Sequence, residues 1–302
     1  MKSRFSWLAP PQLKSASKYK EHLAATLAGM STFLLILIIA YAALLLSAGL
    51  LHLIARLKPL EAFATALCCA PGLDLAITWF TVSPIIVGGI LDGWRGIAAG
   101  IIAQFCALVS WTILHEMAHP EARRGPRIYK YINKQVGWFR NYTALIVTTL
   151  VVPIFWLARV AELTLYPLLV VLVRFPKYKQ REWVNVSRQK FRGLVGHDLI
   201  WCLYCDWMTG VWSFATEILR NVESFWCPIR FSSEAKCDNC RHDFPDIDGG
   251  WVAADQTMSE VVHVLEEKYR GQGSNSWFGH PARLTVEGER IETDSEAGKT
   301  AG

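Results

Sequence analysis

The chain has 302 residues, of which 52% are apolar and only 19% charged, and its mean hydropathy is +0.23. That composition excludes a disordered or collagen-like chain and argues against an ordinary soluble domain. The net charge of +5 divides unevenly. Residues 1–192 hold 22 Lys/Arg against 8 Asp/Glu, whereas residues 193–302 hold 9 against 18. The basic part also contains the long apolar runs, so its charges read as membrane-flanking anchors, and no nucleic-acid partner is expected.

In chain order, residues 1–22 form a basic N-terminal segment. Residues 23–55 carry no formal charge except on His52, which predicts a first helix of roughly 50 Å, longer than the bilayer core. That run is too long for a signal-peptide core, so it reads as a membrane helix. A short apolar stretch at 62–73, with Cys68 and Cys69, reads as re-entrant or interfacial. Two spans at 75–91 and 96–114 flank Asp92-Gly93-Trp94-Arg95; such a short link demands a tight turn and an antiparallel hairpin. A basic loop is expected at 120–142. The apolar run 143–173 contains Pro153 and Pro167 and reads as one kinked helix or two half-spans.

Residues 174–192 interleave Arg174, Lys177, Lys179, Arg181, Arg188, Lys190 and Arg192 with Phe175, Tyr178, Trp183 and Phe191. They read as an interfacial collar on anionic lipid headgroups. Residues 193–231 suggest a membrane-packed or interfacial helix. From 232 the chain reads as soluble, with a capping box at Thr257-x-x-Glu260, a small hairpin at 284–291 and a disordered end.

The expected fold is therefore an all-α polytopic membrane protein of about four helical spans, with one or more short re-entrant segments. A small Cys-rich C-terminal region completes it. The divisions are 1–22, a transmembrane region 23–173, a juxtamembrane segment 174–231 and a soluble region 232–302. The positive-inside rule puts the basic stretches in the cytoplasm, and reduced cysteines at metal-like spacing put the C-terminal region there too.

Two constellations carry chemistry. The first is His115-Glu116-Met117-Ala118-His119, at the end of a span. On a continuous helix, positions four apart share a face, so His115 and His119 could hold one zinc while Glu116 acts as general base on the bound water. The bland reading is a set of interfacial polar residues. Pro120 supports it, because it disfavours helical backbone at His119. The eleven residues 115–125 resemble the zinc-site helix of site-2 protease-type intramembrane metalloproteases. The resemblance implies zinc on His115 and His119, Glu116 as base, and a membrane-protein substrate. That family's Leu-Asp-Gly ligand motif follows HExxH; Leu91-Asp92-Gly93 precedes it here, roughly 35 Å away along a straight helix, so Asp92 is not carried over. Glu162 is a further candidate ligand, but Arg159 lies three residues away and is its expected ion-pair partner. His197 and Asp198 are the others.

The second constellation is Cys202-Leu-Tyr-Cys205 and Cys237-Asp-Asn-Cys240, separated by 31 residues with Cys227 between them. Two CxxC pairs can complete a four-thiolate metal site, with His197 or His242 as a substitute ligand. Zinc is the expected metal; iron or an iron–sulfur cluster needs the same thiolates. The pairs could equally cycle as redox dithiols, or pack as small apolar side chains.

Three functions stay open. One is a zinc-dependent membrane hydrolase or protease using HExxH. Another is a non-catalytic membrane-anchored scaffold or assembly factor with a Cys–metal module. The third is a membrane thiol redox protein.

Overall fold

The computed structural model describes residues 12–191, 193–229, 252–269 and 275. Among these the protein is helical, with two isolated β-bridges and no strands. Three stretches are long and apolar enough to cross a membrane: Met30–Ile54, Ser83–Ala118 and Trp138–Val173. The chain divides into two compact units, Met1–Thr65 with Asp74–Ala118, and Ala66–Leu73 with His119–Gly302.

In the first unit α1 (Gln12–Ile54) continues the apolar run backwards into the basic segment. Its 43 residues give a rod of about 65 Å, longer than a bilayer is thick. A 3-10 turn at Lys58–Leu60 precedes α2 (Glu61–Leu67), which covers the first half of the stretch at 62–73. Next come α3 (Gly72–Thr81) and α4 (Ser83–Ala118).

The helix α4 is bent back on itself. Asp92 (φ −145°, ψ 28°) and Gly93 (φ 55°, ψ −137°) leave helical space, and Gly93 takes a positive φ that costs a residue without Cβ little. The two arms then meet at their glycines. A Cβ on Gly88 would overlap the carbonyl of Gly96, and the reverse also holds. Ala99, Ala103 and Ala107 continue the buried small-residue stripe, one turn apart. Without a hydrophobic drive in lipid, helices associate through such close approach. The antiparallel turn expected at 92–95 is present, but the span expected at 75–91 is not: α3 ends at Thr81, and the arm from Ser83 to the turn is too short to cross a bilayer core of about 30 Å.

Side-chain hydrogen bonds cross the packing seams of this unit. Tyr41 donates to Ser110 (3.0 Å), Trp79 Nε1 to Ser47 (3.0 Å), and Gln104 Nε2 to the Thr81 carbonyl at the end of α3 (2.7 Å).

The second unit begins with the segment read as a basic loop, and that reading needs correction. It contains α5 (Pro120–Arg124) and α6 (Ile128–Val136). The apolar run behind it is two helices, α7 (Trp138–Thr149) and α8 (Val152–Val173). The break falls just before Pro153, which sits in the first turn of α8, where its missing N–H costs nothing. Arg174 closes α8 in the left-handed conformation (φ 59°), and the backbone N–H of Asn275 donates to its carbonyl (2.7 Å).

A single helical turn, α9 (Gln180–Trp183), and a 3-10 turn at Arg188–Lys190 lead to α10 (Gly196–Trp226), which packs along α8. Helix α11 (Met258–Tyr269) follows. The Glu260 arm of its capping box is formed: Glu260 accepts from the Thr257 N–H (3.1 Å) and from the Thr257 hydroxyl.

The 174–192 collar is also corrected. Phe175 and Trp183 are buried and Tyr178 reaches into the interior, while Phe191 remains exposed. The rings of Phe175, Tyr178 and Trp183 pack against Tyr166 and Phe214 between α8 and α10, so these three build a core rather than line a surface. Cys237, Cys240, His242 and the hairpin expected at 284–291 lie outside the described residues.

Candidate functional site

The HExxH residues sit at the end of the first unit. His115 occupies the last turn of α4, its ring stacked on Trp111 (4.6 Å) and edge-on to His52 of α1 (5.6 Å). Glu116 follows it. Helix α4 ends at Ala118, and His119 takes φ −126°, ψ 66° as the residue before Pro120. The proline has the steric effect expected of it. Regular helix therefore stops one residue short of the second imidazole. Asp92 lies at the hairpin turn, at the opposite end of that arm. Among the described residues no group of three or more His, Cys, Asp or Glu is arranged to hold a metal ion.

His197 and Asp198 lie in the first turn of α10 and tie it to α6. One Asp198 carboxylate oxygen accepts from Arg127 Nε (2.8 Å) and from the Ile128 N–H (3.2 Å). The other accepts from the Tyr129 N–H (3.1 Å). A carboxylate is thus held at the N-terminus of α6, where the helix dipole favours it. Burial alone would raise its pKa, but hydrogen bonds from His197, Arg127 and Tyr129 outweigh that and hold it at about 2. Both ring nitrogens of His197 face protein groups. Nε2 accepts from Trp201 (3.1 Å), and Nδ1 stands 3.6 Å from Asp198. Tyr129 and Tyr142 close over the ring.

Farther along α10, Cys202, Cys205, Asp206 and Thr209 recur at helical spacing on one face. Cys202 is the seventh residue of the helix, beyond the first turn where the dipole acts. The charge that reaches this face comes from elsewhere. Asp206 accepts from the backbone N–H groups of Ser187 (2.9 Å) and Arg188 (3.0 Å) and pairs with Arg188 Nε (3.0 Å). This clamps the Arg188–Lys190 turn onto the helix and sets the Arg188 guanidinium beside both thiols. Burial pushes the Cys202 thiol up, and Arg188 opposes the shift.

On the other side of the same turn, Gln189 Nε2 donates to Cys68 Sγ (3.2 Å), whose thiol burial also pushes up, with Cys69 adding to the effect. The segment carrying those two cysteines is held by Ala70 N–H to the Val184 carbonyl (2.9 Å) and Val186 N–H to the Cys68 carbonyl (2.8 Å). Cys68, Cys69, Cys202, Cys205 and Cys227 are free thiols.

A third polar group is wholly internal. Arg159 Nη1 pairs with Glu162 (2.7 Å), as their spacing predicts, and Nη2 donates to Gln180 Oε1 (3.0 Å). Tyr178 donates to Glu217 (2.9 Å) and accepts from Asn221 Nδ2 (2.8 Å). These bonds lock the 174–183 connection between α8 and α10. Glu162 is therefore the partner of Arg159 and lies in no metal-ligating group.

Sequence reasoning missed Arg188 and Asp206. Asp206 directly follows the CxxC motif, which was a usable signal. Arg188 was absorbed into the basic collar, and nothing local distinguishes it there. The chain matches no family model, no curated protein and no solved structure.

Proposed function

We propose that this is an integral membrane protein that carries out thiol–disulfide exchange through Cys202 and Cys205. One observation carries the reading: an arginine held by Asp206 beside two free thiols that sit three residues apart on one helix. Residues three apart on an α-helix have Cα atoms about 5 Å apart, inside the window a disulfide requires. A guanidinium beside a thiol stabilises the thiolate, which is the nucleophile.

The step balances with a disulfide-bonded partner protein as oxidant. The Cys205 thiolate attacks one partner sulfur and displaces the other as a thiolate, giving a mixed disulfide. Cys202, kept protonated by its burial, then loses its proton and attacks Cys205 Sγ. The partner leaves as a dithiol carrying both protons, and Cys202–Cys205 is the oxidised product. Run backwards, the same steps reduce a partner disulfide.

Equilibration of the purified full chain across a dithiothreitol redox series, followed by alkylation and peptide mass spectrometry, tests this. Cys202 and Cys205 should titrate together as one two-electron couple, and Arg188→Ala should shift its midpoint. A Cys202→Ser variant should trap a mixed disulfide on Cys205. Thiols that stay fully alkylatable across the series would refute the proposal.

A zinc-dependent hydrolase is the second reading, supported by the approach of His52 and His115 from two helices next to Glu116. Stoichiometric zinc in the wild type that His115→Ala removes would favour it. Absence of zinc from the wild type would exclude it.

A further inference from the structure

Helix α6 has nine residues, about 13 Å of rod, and cannot cross a bilayer core of about 30 Å. It is nevertheless amphipathic with its apolar side uncovered. Ile128, Tyr131, Ile132 and Val136 are 49%, 66%, 37% and 46% exposed. At 100° per residue these four fall on one side, which the exposed Gln135 shares. Tyr129 and Asn133 fall on another, and that side is the one fastened to the protein. Tyr129 packs edge-on to His197 and its N–H bonds Asp198, while Asn133 accepts from the buried Asn141 (2.8 Å). Lys130 and Lys134 take the remaining sector. The apolar side is thus presented outward by a helix whose back is held.

What covers it is indicated by its surroundings. Gly137 turns the chain (φ 87°) directly into α7, the start of a stretch apolar enough to cross a membrane. Trp138 and Phe139, 68% and 66% exposed, mark that entry, as aromatic rings do at a bilayer interface. Arg123, Arg124, Lys130, Lys134 and Arg140 surround the helix, and acidic residues between 120 and 142 are limited to Glu121. Cations around an apolar helix side favour an anionic leaflet.

We infer that α6 lies flat in the headgroup region of an anionic leaflet, with Ile128, Tyr131, Ile132 and Val136 inserted, and so fixes the depth at which α7 enters the bilayer.

Hydrogen exchange of the 128–136 amides tests this, with the full chain reconstituted in phosphatidylcholine vesicles with and without phosphatidylglycerol. Exchange should slow by about tenfold when the anionic lipid is added. Lys130→Gln/Lys134→Gln/Arg140→Gln should lose that dependence. Ile128→Gln/Ile132→Gln/Val136→Gln should exchange fast in both vesicles, while unchanged protection in α10 shows that the fold is kept. Equal exchange in both vesicles and in detergent would overturn the inference. Protection that rises with protein density rather than with anionic lipid would assign the face to a second copy and overturn it as well.

Discussion

The two units pack long apolar helices by different means. In the first, the hairpin arms of α4 meet through Gly88 and Gly96 and continue through a stripe of alanines, with side-chain hydrogen bonds such as Tyr41 to Ser110 at the seams. In the second, α8 and α10 enclose Arg159, Glu162, Glu217 and Asn221, all essentially inaccessible to solvent, within a shell of aromatic rings. Close backbone approach needs no polar group and tolerates no added atom. A buried polar network tolerates shape changes poorly for another reason: each group left without its partner pays its whole desolvation cost. The first unit should therefore respond to volume and the second to charge.

The largest effect is expected from Arg159→Met, which leaves Glu162 buried without its cation and should destabilise the second unit by about 3–5 kcal/mol. Arg159→Met/Glu162→Met should recover much of that, because the remaining buried charge is gone too. Thermal unfolding in detergent, followed by circular dichroism, measures both. If the double variant were as unstable as the single, the pair would not be the unit of stabilisation.

Next is Asp198→Ala, which strands Arg127 and uncaps α6, at a cost of about 3 kcal/mol. This site also predicts an acid response. The folded-state pKa of about 2 lies below the ordinary value of 3.8, so the contribution is complete above that ordinary value. It is lost progressively as pH falls toward 2. Proteolysis between 119 and 129 should thus accelerate in acid for the wild type and be flat for Asp198→Ala. Equal acid sensitivity of the two chains would remove Asp198 as the cause.

Gly96→Ala should cost about 2 kcal/mol by forcing the hairpin arms apart, with no pH dependence of its own. Unchanged stability there would mean that the arms do not depend on glycine contact. Thr257→Ala should remove about 1 kcal/mol from α11 alone, read as faster amide exchange in its first turn. Smallest of all, Lys179→Ala breaks an exposed 3.9 Å pair with Glu182 and should change unfolding by about 0.5 kcal/mol or less.

Much of the fold could be read from local pattern. The apolar runs announce long apolar helices, though three candidate spans stand where about four were expected; Asp92-Gly93 announces the hairpin turn, Pro153 the start of α8, Pro120 the end of α4 and Thr257-x-x-Glu260 the start of α11. Arg159 and Glu162 were readable as partners because a helix brings residues three apart together. The same logic misled at 120–142, where charge density suggested a loop although the 128–136 periodicity is that of an amphipathic helix. It misled again at 174–192, where alternating cations and rings suggested a surface and the rings proved to be core.

What only the tertiary structure decided are the contacts between distant segments. Asp198 caps a helix whose first residue is 70 positions earlier, and Gln189 reaches Cys68 across 121. No local rule predicts such pairs, because the free energy of a long-range contact depends on which elements the whole fold brings together. Periodicity, turn chemistry and helix ends are written within a few residues of one another, so the sequence alone determined them. The placement of Arg188 over Cys202 and Cys205 needs the 187–190 turn to fold back on α10, and that is settled by packing.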